Sequence, residues 1–457
     1  MAGIIPETHQ DAALIMEQLF THPLSRKSQK QHPNLVEHAL DLVETARKLP
    51  YPNDLKASPW WQQKQHNFMA FCKRLRSPVD IVSFAQCTYL SGSDRRLFDR
   101  TKPIHDIVLK QLRRMAFNLN ICPPIHMDIE DSPYSMPPSI VPLNGKNYSN
   151  SFLNMLGYAL GSSTAIDRPH NHILEIGSGY GNLARILKLR HPNTTITLLD
   201  LPETLLLSYI YLTLNFPEAT IRFITEGDTY DHSDHADFIL LPAQLSPFLQ
   251  GKQFDLAINT GSLQEMPRRT VDYFMDLVQN QTDTSFFYSF NYFLNARSVL
   301  REWSEADRNQ EANNICPIMK PNWKPVHFQF NTPHLTVDCT GRNWLELLMK
   351  KEDVADSAEV LISKAHAACE EADQYPVFSD EWLKLLWTSI HLKPTSKAIH
   401  KLLGGIELFT LGWNRTNHMF SGQFGAPSNP KASLSERRQL FESIEEVRYY
   451  RSLLKST

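Results

Sequence analysis

The segment from His172 to Asp200 limits the possible folds more than any other part of the chain. It begins with an apolar run typical of a buried strand and continues into three alternate glycines, Gly177, Gly179 and Gly181. Apolar residues at helical spacing follow, and a second apolar run ends on Asp200. This order of strand, turn, helix and strand predicts an α/β fold with a mostly parallel sheet.

The chemistry of the glycine-rich turn separates two classes of ligand. Glycines let the backbone approach a ligand closely, and an acid after the second strand, Asp200, can accept hydrogen bonds from a ribose. The spacing G-x-G-x-G departs from the dinucleotide pattern, and Glu175 precedes the first glycine. A carboxylate at that position repels a pyrophosphate but suits a cation. The alternative is an ordinary βαβ turn in which the glycines serve packing only.

The stretch resembles the first motif of class I S-adenosylmethionine-dependent methyltransferases, whose cofactor carries a sulfonium and an ammonium. Together with segments 199–209, 254–266 and 287–291, it is similar to a family of sugar O-methyltransferases from bacterial glycan and glycosylated natural-product pathways. The resemblance covers roughly residues 145 to 295. It implies a Rossmann-like sheet, S-adenosyl-L-methionine as cofactor, and methyl transfer to a hydroxyl of a sugar or glycosylated metabolite.

The resemblance and the predicted strand ends together give a set of binding residues. Ligands of open α/β sheets bind at the carboxyl ends of the strands, and residues 238–242 and 254–259 are further predicted strands. The first of these would bring residues 241–244 near the adenine. The candidate cofactor residues are Glu175, Gly177, Ser178, Gly179, Gly181, Asp200, Leu201, Pro242 and Asn259. Asn291 and Tyr148 are candidates for binding the acceptor, although Asn291 could equally terminate its strand.

A sugar hydroxyl is a weak nucleophile, so its methylation benefits from a general base. Glu265 follows the predicted strand 254–259 and is the first catalytic candidate, although it could instead cap the next helix or pair with a neighbouring arginine. His327 is the second, on a predicted edge strand at 323–330, and His334 follows it. A lone histidine on such a strand is more often structural than catalytic.

Composition and short-range patterns limit the other functions. The net charge of −3 predicts no broad attraction to nucleic acids or membranes. Six scattered cysteines without a C-x-x-C pair, together with an N-terminus unlike a signal peptide, favour the cytoplasm. No apolar run reaches membrane-spanning length. Acids and histidines at 231–235 are interpreted as a solvated loop, so no metal site is predicted.

At 457 residues the chain is expected to form two or three domains. Helices predicted at 13–20, 35–46, 60–75 and 104–119 form an N-terminal cap, 1–144, which ends in a proline-rich linker without regular structure. The predicted methyltransferase domain spans 145–343. A helical extension, 344–457, has predicted helices at 345–349, 358–368, 382–390 and 434–454, with a break at Gly404 and Gly405. Such helical flanks suit a wall of the active site or a homodimer interface.

Three other functions stay open at this point. The same cofactor could serve a phenol, carboxylate or amine as acceptor. The chain could also be a partner protein that binds the cofactor without turnover and uses its helical flanks as interaction surfaces. A nicotinamide dehydrogenase is the least favoured, since both the glycine spacing and Glu175 argue against it.

Overall fold

The computed structural model describes residues 22–56, 59–73, 75–87, 129–135, 140–166, 168, 171–230, 236–263, 266–292, 319–330, 344–353, 356–377, 379–411, 451 and 454–455. These residues fall into two compact units that divide between Asn259 and Thr260, with Pro59 and Trp60 belonging to the second. The helices predicted at 13–20 and 104–119 and most of that at 434–454 lie outside the described residues, as do Glu265, His334 and the loop 231–235. The predicted three-domain division stays a prediction.

Ten strands lie within the described ranges. They are β1 Val141–Leu143, β2 Lys146–Tyr148, β3 His172–Ile176, β4 Thr195–Asp200, β5 Ile221–Phe223, β6 Phe238–Pro242, β7 Gln253–Thr260, β8 Asp283–Tyr292, β9 Trp323–Phe330 and β10 Trp344–Lys351. The first unit is centred on a parallel sheet in the order β5-β6-β4-β3-β7. Its central strand β3 reads as an almost continuous apolar run because the strand is buried on both faces.

Eleven α-helices accompany these strands in the described part of the chain. They are α1 Pro23–Gln31, α2 Leu35–Arg47, α3 Pro59–Cys72, α4 Pro78–Cys87, α5 Asn150–Ser162, α6 Asn182–Arg190, α7 Pro202–Asn215, α8 Arg268–Asp276, α9 Ala358–Glu371, α10 Asp380–Leu392 and α11 Ser396–Leu411. None of them is long and apolar enough to cross a membrane. The predicted α/β architecture, with a mostly parallel sheet and helices on both flanks, is confirmed.

Local sequence explains where the helices next to the site begin. Pro202 occupies the first position of α7 and Glu203 lies in its first turn, where a fixed φ and a negative charge both favour a helix start. Ser149 caps α5, since its Oγ accepts a hydrogen bond from the backbone N–H of Phe152 at 3.1 Å. Helix α6 instead begins after Gly181, whose φ is +87°.

The N-terminal helix α2 packs against α7 in the first unit. Ala39, Val43 and Ala46 are fully buried, at the spacing that predicted one apolar face. The rings of His38 on α2 and Tyr209 on α7 lie edge to face, with centroids 5.8 Å apart. The ion pair between Arg47 and Glu203 holds the C-terminal end of α2 beside the start of α7, which follows β4.

The proline-rich segment contains a hairpin, so the prediction that no regular element lies there was wrong. Strands β1 and β2 pair antiparallel, with Pro142 opposite Asn147. Asn144 and Gly145 form the two-residue turn, with φ of 49° and 76°. Proline is tolerated in such a hairpin because each strand is paired on one side only, so a residue without a backbone N–H need not break a hydrogen bond of the sheet.

The second unit contains three antiparallel strands, in the order β8-β10-β9. The edge strand predicted at 323–330 is confirmed as β9. The helix predicted at 345–349 was wrong, because these residues belong to β10. Paired strands on both sides satisfy the backbone of β10 and cover its apolar side chains, and a short apolar run does not by itself distinguish this state from a buried helix.

The predicted break at Gly404 and Gly405 was also wrong, since both glycines lie inside α11. A Cβ at Gly405 would overlap the ring of Trp382 on α10, whereas one at Gly404 would meet nothing within 4 Å. Gly405 therefore serves the close approach of two helices. The helices predicted at 358–368 and 382–390 are confirmed as α9 and α10.

Candidate functional site

The backbone of the glycine-rich turn requires glycine at three positions. Gly177, Gly179 and Gly181 have φ of 74°, 60° and 87°, in the left-handed region that side chains with a Cβ rarely adopt. The N–H of Gly177 donates to the carbonyl of Leu199 at 2.8 Å, which joins the turn to the end of β4. These dihedral angles and this hydrogen bond therefore fix the backbone conformation of the turn directly after β3.

Gly179 is held from both sides by its neighbours in the first unit. Its N–H donates to Oδ2 of Asp200 at 2.9 Å, and its carbonyl accepts from Oγ of Ser208 on α7 at 2.7 Å. The second carboxylate oxygen of Asp200 accepts from the N–H of Leu201 at 2.7 Å. Asp200 thus shapes the turn, while its oxygens keep further lone pairs for the hydroxyls of a ligand.

The strand ends bring the predicted cofactor residues to one edge of the parallel sheet. Ile176 lies opposite Leu199 and Asn259 in the neighbouring strands, and Asp200 lies opposite Pro242. The side-chain amide of Asn259 is fully buried and donates to the carbonyl of Ile176 at 2.9 Å. Asn259 therefore ties β7 to the end of β3 at the level of the glycine-rich turn.

Glu175 is a buried acid without full hydrogen bonding. It is 2% exposed, and its Oε2 has no hydrogen-bond partner among the described residues. Burial, reinforced by the nearby Asp200, raises the pKa of Glu175 well above its usual range. An unpaired buried carboxylate oxygen is costly and uncommon in folded proteins, so this atom suits a ligand that brings a cation or a donor.

Three more buried acceptor atoms at the same edge lack a partner in the described part of the chain. They are Oγ of Ser178 in the turn, Oε2 of Glu203 in the first turn of α7, and Oε1 of Gln244 after β6. The three residues are 6%, 4% and 5% exposed. All follow the carboxyl ends of the adjacent parallel strands β3, β4 and β6, which is where open α/β sheets bind ligands.

A network of buried hydroxyl groups supports the glycine-rich turn from behind. The hydroxyl of Tyr180, which lies between two glycines of the turn, is 3.0 Å from Oγ of Ser151. Its ring packs edge to face against Tyr211, with centroids 5.0 Å apart. Tyr211 donates to Oδ1 of Asn182 at 3.0 Å, and its hydroxyl is 3.1 Å from Oγ of Ser135. The large side chain of the turn therefore points into the protein.

Asp131 lies at the far end of this network. Its carboxylate accepts from the hydroxyls of Ser135, at 2.8 Å, and Ser149, and from the N–H of Ser132 at 2.7 Å. Burial raises the pKa of Asp131, although these hydrogen bonds oppose the shift. Sequence reasoning missed this group, because an aspartate in a proline-rich segment reads as an exposed turn residue.

Tyr148 and Asn291, the predicted acceptor-binding residues, are both buried. Tyr148 has no exposed surface and packs against Phe152, with centroids 6.2 Å apart, which argues against contact with an acceptor. Oδ1 of Asn291 accepts from the N–H of Leu263 at 3.2 Å, and its Nδ2 donates to Oγ of Ser289 at 2.8 Å. These bonds favour the alternative in which Asn291 fixes the end of its strand.

His327 is the predicted catalytic residue that the structure describes. Its side chain is 40% exposed, and its Nε2 is 3.4 Å from Oε2 of Glu346. Glu346 is buried, and its other oxygen accepts from the hydroxyl of Tyr288 at 2.8 Å. A carboxylate next to an accessible imidazole orients the ring. Sequence reasoning did not identify Glu346, which reads as part of an apolar run.

Glu265 lies outside the described residues, so its role stays a prediction. Across the described ranges, no group of three or more histidine, cysteine, aspartate or glutamate residues is arranged to hold a metal ion.

No family model and no curated protein matches the sequence. Solved structures match at low similarity. The 23S rRNA methyltransferase ErmE is 13% identical, with 64% of this chain and 97% of that chain covered and a TM-score of 0.27. The 1,6-didemethyltoxoflavin N1-methyltransferase of Burkholderia thailandensis is 17% identical, with 44% and 79% covered and a TM-score of 0.29. The magnesium protoporphyrin IX methyltransferase of Synechocystis PCC 6803 is 12% identical, with 53% and 97% covered and a TM-score of 0.29.

Proposed function

We propose that this chain is an S-adenosyl-L-methionine-dependent O-methyltransferase whose acceptor is a hydroxyl of a sugar or glycosylated metabolite. The observation that carries the proposal is the row of unpartnered buried atoms after β3, β4 and β6, at Glu175, Ser178, Glu203 and Gln244. All four atoms can accept hydrogen bonds. A ligand for this edge must therefore bring several donors, and S-adenosylmethionine brings an ammonium, two ribose hydroxyls and an adenine amine.

Glu175 supports a cationic ligand rather than a dinucleotide. The bound cofactor supplies an electrophilic methyl group, and its ammonium suits the unpartnered oxygen of Glu175. Asp200, at the end of the neighbouring strand, accepts hydrogen bonds from the ribose in this proposal. A pyrophosphate next to Glu175 would instead place like charges together in a buried site, which is strongly unfavourable.

The acceptor hydroxyl must lose a proton as its oxygen forms the bond to the methyl carbon and the carbon–sulfur bond breaks. His327 is proposed to take this proton, because its imidazole is accessible and the buried Glu346 lies 3.4 Å from its Nε2 and can orient the ring. Glu265 is the second proposed base. The choice of a sugar hydroxyl rests on the family resemblance over residues 145 to 295.

Calorimetric titration with S-adenosylhomocysteine tests the cofactor. We expect the wild-type chain to bind it and to show no heat with NADH. The Glu175→Gln variant should bind about tenfold or more weakly, because it lacks the charge that pairs with the ammonium. Glu218→Gln, which alters an exposed acid of the same unit, is the matched control and should bind like the wild type. Binding of NADH alone would overturn the proposal.

A transfer assay tests the acceptor. The chain is incubated with S-adenosylmethionine labelled in the methyl group and, separately, with nucleotide sugars, free glycans, glycosylated metabolites, phenols, carboxylates, amines and RNA. Labelled product from a compound with a sugar hydroxyl supports the proposal. Labelled product from another class of compound alone would show that this class, and not a sugar, is the acceptor. Tight cofactor binding without turnover on the whole panel would point to a non-catalytic binding protein.

The pH dependence of the rate tests the base. If His327 takes the proton, His327→Gln should remove the acidic limb of the kcat profile and leave the affinity for S-adenosylhomocysteine unchanged. The same loss in Glu265→Gln, with a normal limb in His327→Gln, would assign the role to Glu265 instead.

A further inference from the structure

Two of the residues with unpartnered buried atoms, Glu203 and Gln244, contact the N-terminal helix α2. Nε of Arg47, the last residue of α2, is 2.8 Å from Oε1 of Glu203. Nε2 of Gln244 donates to the carbonyl of Ala46 at 3.4 Å. The C-terminal turn of α2 is therefore fixed to the first residues after both β4 and β6, within the first unit.

Arg47 lies between two acids. Its Nη1 is 3.3 Å from Oε2 of Glu44, and Glu44 is in turn 2.8 Å from Nζ of Lys73. Glu203 is the buried acid of this charge cluster, and burial raises its pKa, whereas a backbone hydrogen bond and Arg47 favour its ionised form. The Arg47–Glu203 pair thereby fixes Oε1 of Glu203 and leaves Oε2 available.

Tyr51 lies four residues after Arg47, beyond the end of α2, and is half-buried. Burial raises the pKa of Tyr51 and the carboxylates of Glu203 and Asp200 add to the shift, whereas Arg47 and a side-chain hydrogen bond with Gln244 oppose it. The phenol hydroxyl thus stays protonated, and its hydrogen bond with Gln244 places it beside the first residues after β6. It can donate one hydrogen bond and accept another.

The chemistry of this corner selects a neutral ligand rich in donors. Glu203 and Gln244 each offer an acceptor that is buried without a partner among the described residues, and leaving such a group unsatisfied is unfavourable. Asp200 offers further acceptor positions in the adjacent strand. A nucleoside meets these needs with its ribose hydroxyls and exocyclic amine, and it brings no negative charge toward the two acids.

We propose that the C-terminal turn of α2, with Tyr51 behind it, completes the nucleoside half of the cofactor site, and this rests on the proposed function. Tyr51 is a binding residue that contacts the nucleoside through its hydroxyl. Arg47 is a positioning residue that holds Glu203 in place. The N-terminal helices are in this way part of the cofactor site and not only a wall around the acceptor.

Two probes separate the nucleoside half from the amino-acid half in calorimetric titrations of the full chain. S-adenosylhomocysteine contains both halves, and methylthioadenosine contains the nucleoside without the amino acid. We expect Tyr51→Phe to weaken both ligands by the same factor, about fivefold to tenfold for one lost hydrogen bond. Glu175→Gln should weaken S-adenosylhomocysteine only, because methylthioadenosine has no ammonium.

Tyr209→Phe is the matched control for Tyr51→Phe, since it removes a hydroxyl from the same α2–α7 interface and keeps the ring. It should bind both probes like the wild type. Arg47→Met should weaken both probes about tenfold or more, and adding Glu203→Gln should restore part of the loss by removing the unpaired buried charge. Thermal unfolding of each variant confirms that it is folded.

The outcomes distinguish this inference from the proposed function. If the wild type binds neither probe, the proposed function fails. If it binds both and Tyr51→Phe binds them equally well, the nucleoside role of α2 and Tyr51 is overturned while the proposed function stands. A loss confined to S-adenosylhomocysteine in Tyr51→Phe would also overturn it, because Tyr51 would then act on the amino-acid half.

Discussion

Burial raises the pKa of Asp200 to about 6, although the N–H groups of Gly179 and Leu201 both donate hydrogen bonds to its carboxylate. The side chain of Thr204 is a third donor, and desolvation exceeds the gain from these three neutral donors because a buried carboxylate loses the solvation of its full charge. Burial also raises the pKa of Glu175. Two acids with raised pKa values at adjacent strand ends are consistent with the proposed binding role of this edge.

The folded pKa of Asp200 lies above the unfolded value of about 3.9, so the folded chain binds more protons between about pH 4 and 6. Ionisation of Asp200 therefore lowers the stability of the free protein as pH rises through this window. Ligand affinity should change in the opposite direction, because the ionised form is the better acceptor for a ribose.

We expect the affinity for S-adenosylhomocysteine to rise between pH 5 and 7 in the wild-type chain. Asp200→Asn and Asp200→Ala should bind about tenfold or more weakly at pH 7, and the part of the rise caused by Asp200 should vanish. Calorimetry at several pH values measures this. An Asp200→Asn variant with unchanged affinity and an unchanged profile would show that Asp200 does not contact the ligand.

At the scale of elements, the glycine-rich turn can be tested through its backbone. Gly181 and Gly227 have φ of 87° and 92°, so alanine is strained at both, by about 1 kcal/mol or more. A Cβ at Gly181 would lie 3.4 Å from Cγ of Leu212 on α7, and one at Gly227 would meet nothing within 4 Å. Urea unfolding should show both variants destabilised, but only Gly181→Ala should also lose cofactor affinity. Equal cofactor affinity in the two variants would show that the glycine-rich turn is not part of the cofactor site.

The close approach of α10 and α11 gives a second pair of matched variants. A Cβ at Gly405 would overlap the ring of Trp382, so Gly405→Ala should destabilise the second unit by about 1–3 kcal/mol. Gly404→Ala adds a Cβ in open space inside a helix and should stabilise it by about 0.5–1 kcal/mol. Equilibrium unfolding of both variants measures the difference. If both variants were stabilised, Gly405 would not be needed for helix packing.

At the scale of the whole molecule, a buried histidine links stability to pH. His391 is 1% exposed and stacks on Trp387, and its Nε2 is 2.8 Å from the carbonyl of Trp323. Burial lowers the pKa of His391 to about 4, below its unfolded value near 6.5. The stability it contributes is complete above about pH 6.5 and is lost as pH falls toward 4.

We expect the wild-type chain to lose about 2 kcal/mol more stability than His391→Gln between pH 7 and pH 5, because only the wild type must keep this imidazole neutral. Urea unfolding at the two pH values gives both numbers. The contribution of the other titrating groups cancels when the losses of the wild type and of His391→Gln over the same pH change are subtracted. Equal losses would mean that His391 is protonated without strain in the folded chain.

Most of the parallel sheet was predictable because each strand carries its own signal. Strands such as β3 and β6 are short apolar runs that end in glycine or proline, and Pro202 marks the start of α7. Strand β10 was not predictable, because the strands on both sides of it decide its state. Gly405 was misread for a similar reason, since the ring of Trp382 is distant in sequence.

The candidate site divides in the same way. The glycines and Asp200 follow one another closely in sequence, so spacing alone predicted them. Arg47 and Glu203 form an ion pair although they are far apart in the sequence, and the hydroxyls of Ser135 and Tyr211 are in contact although 76 residues separate them. No local pattern contains such pairings, because they depend on how helices pack on the sheet.

The two hydrogen bonds that hold Gly179, from Ser208 and to Asp200, stop either of its peptide planes from rotating. The backbone of the glycine-rich turn is therefore preformed, and little order has to be gained there when a ligand binds. Mutations at Ser208 should lower ligand affinity, because they loosen this backbone.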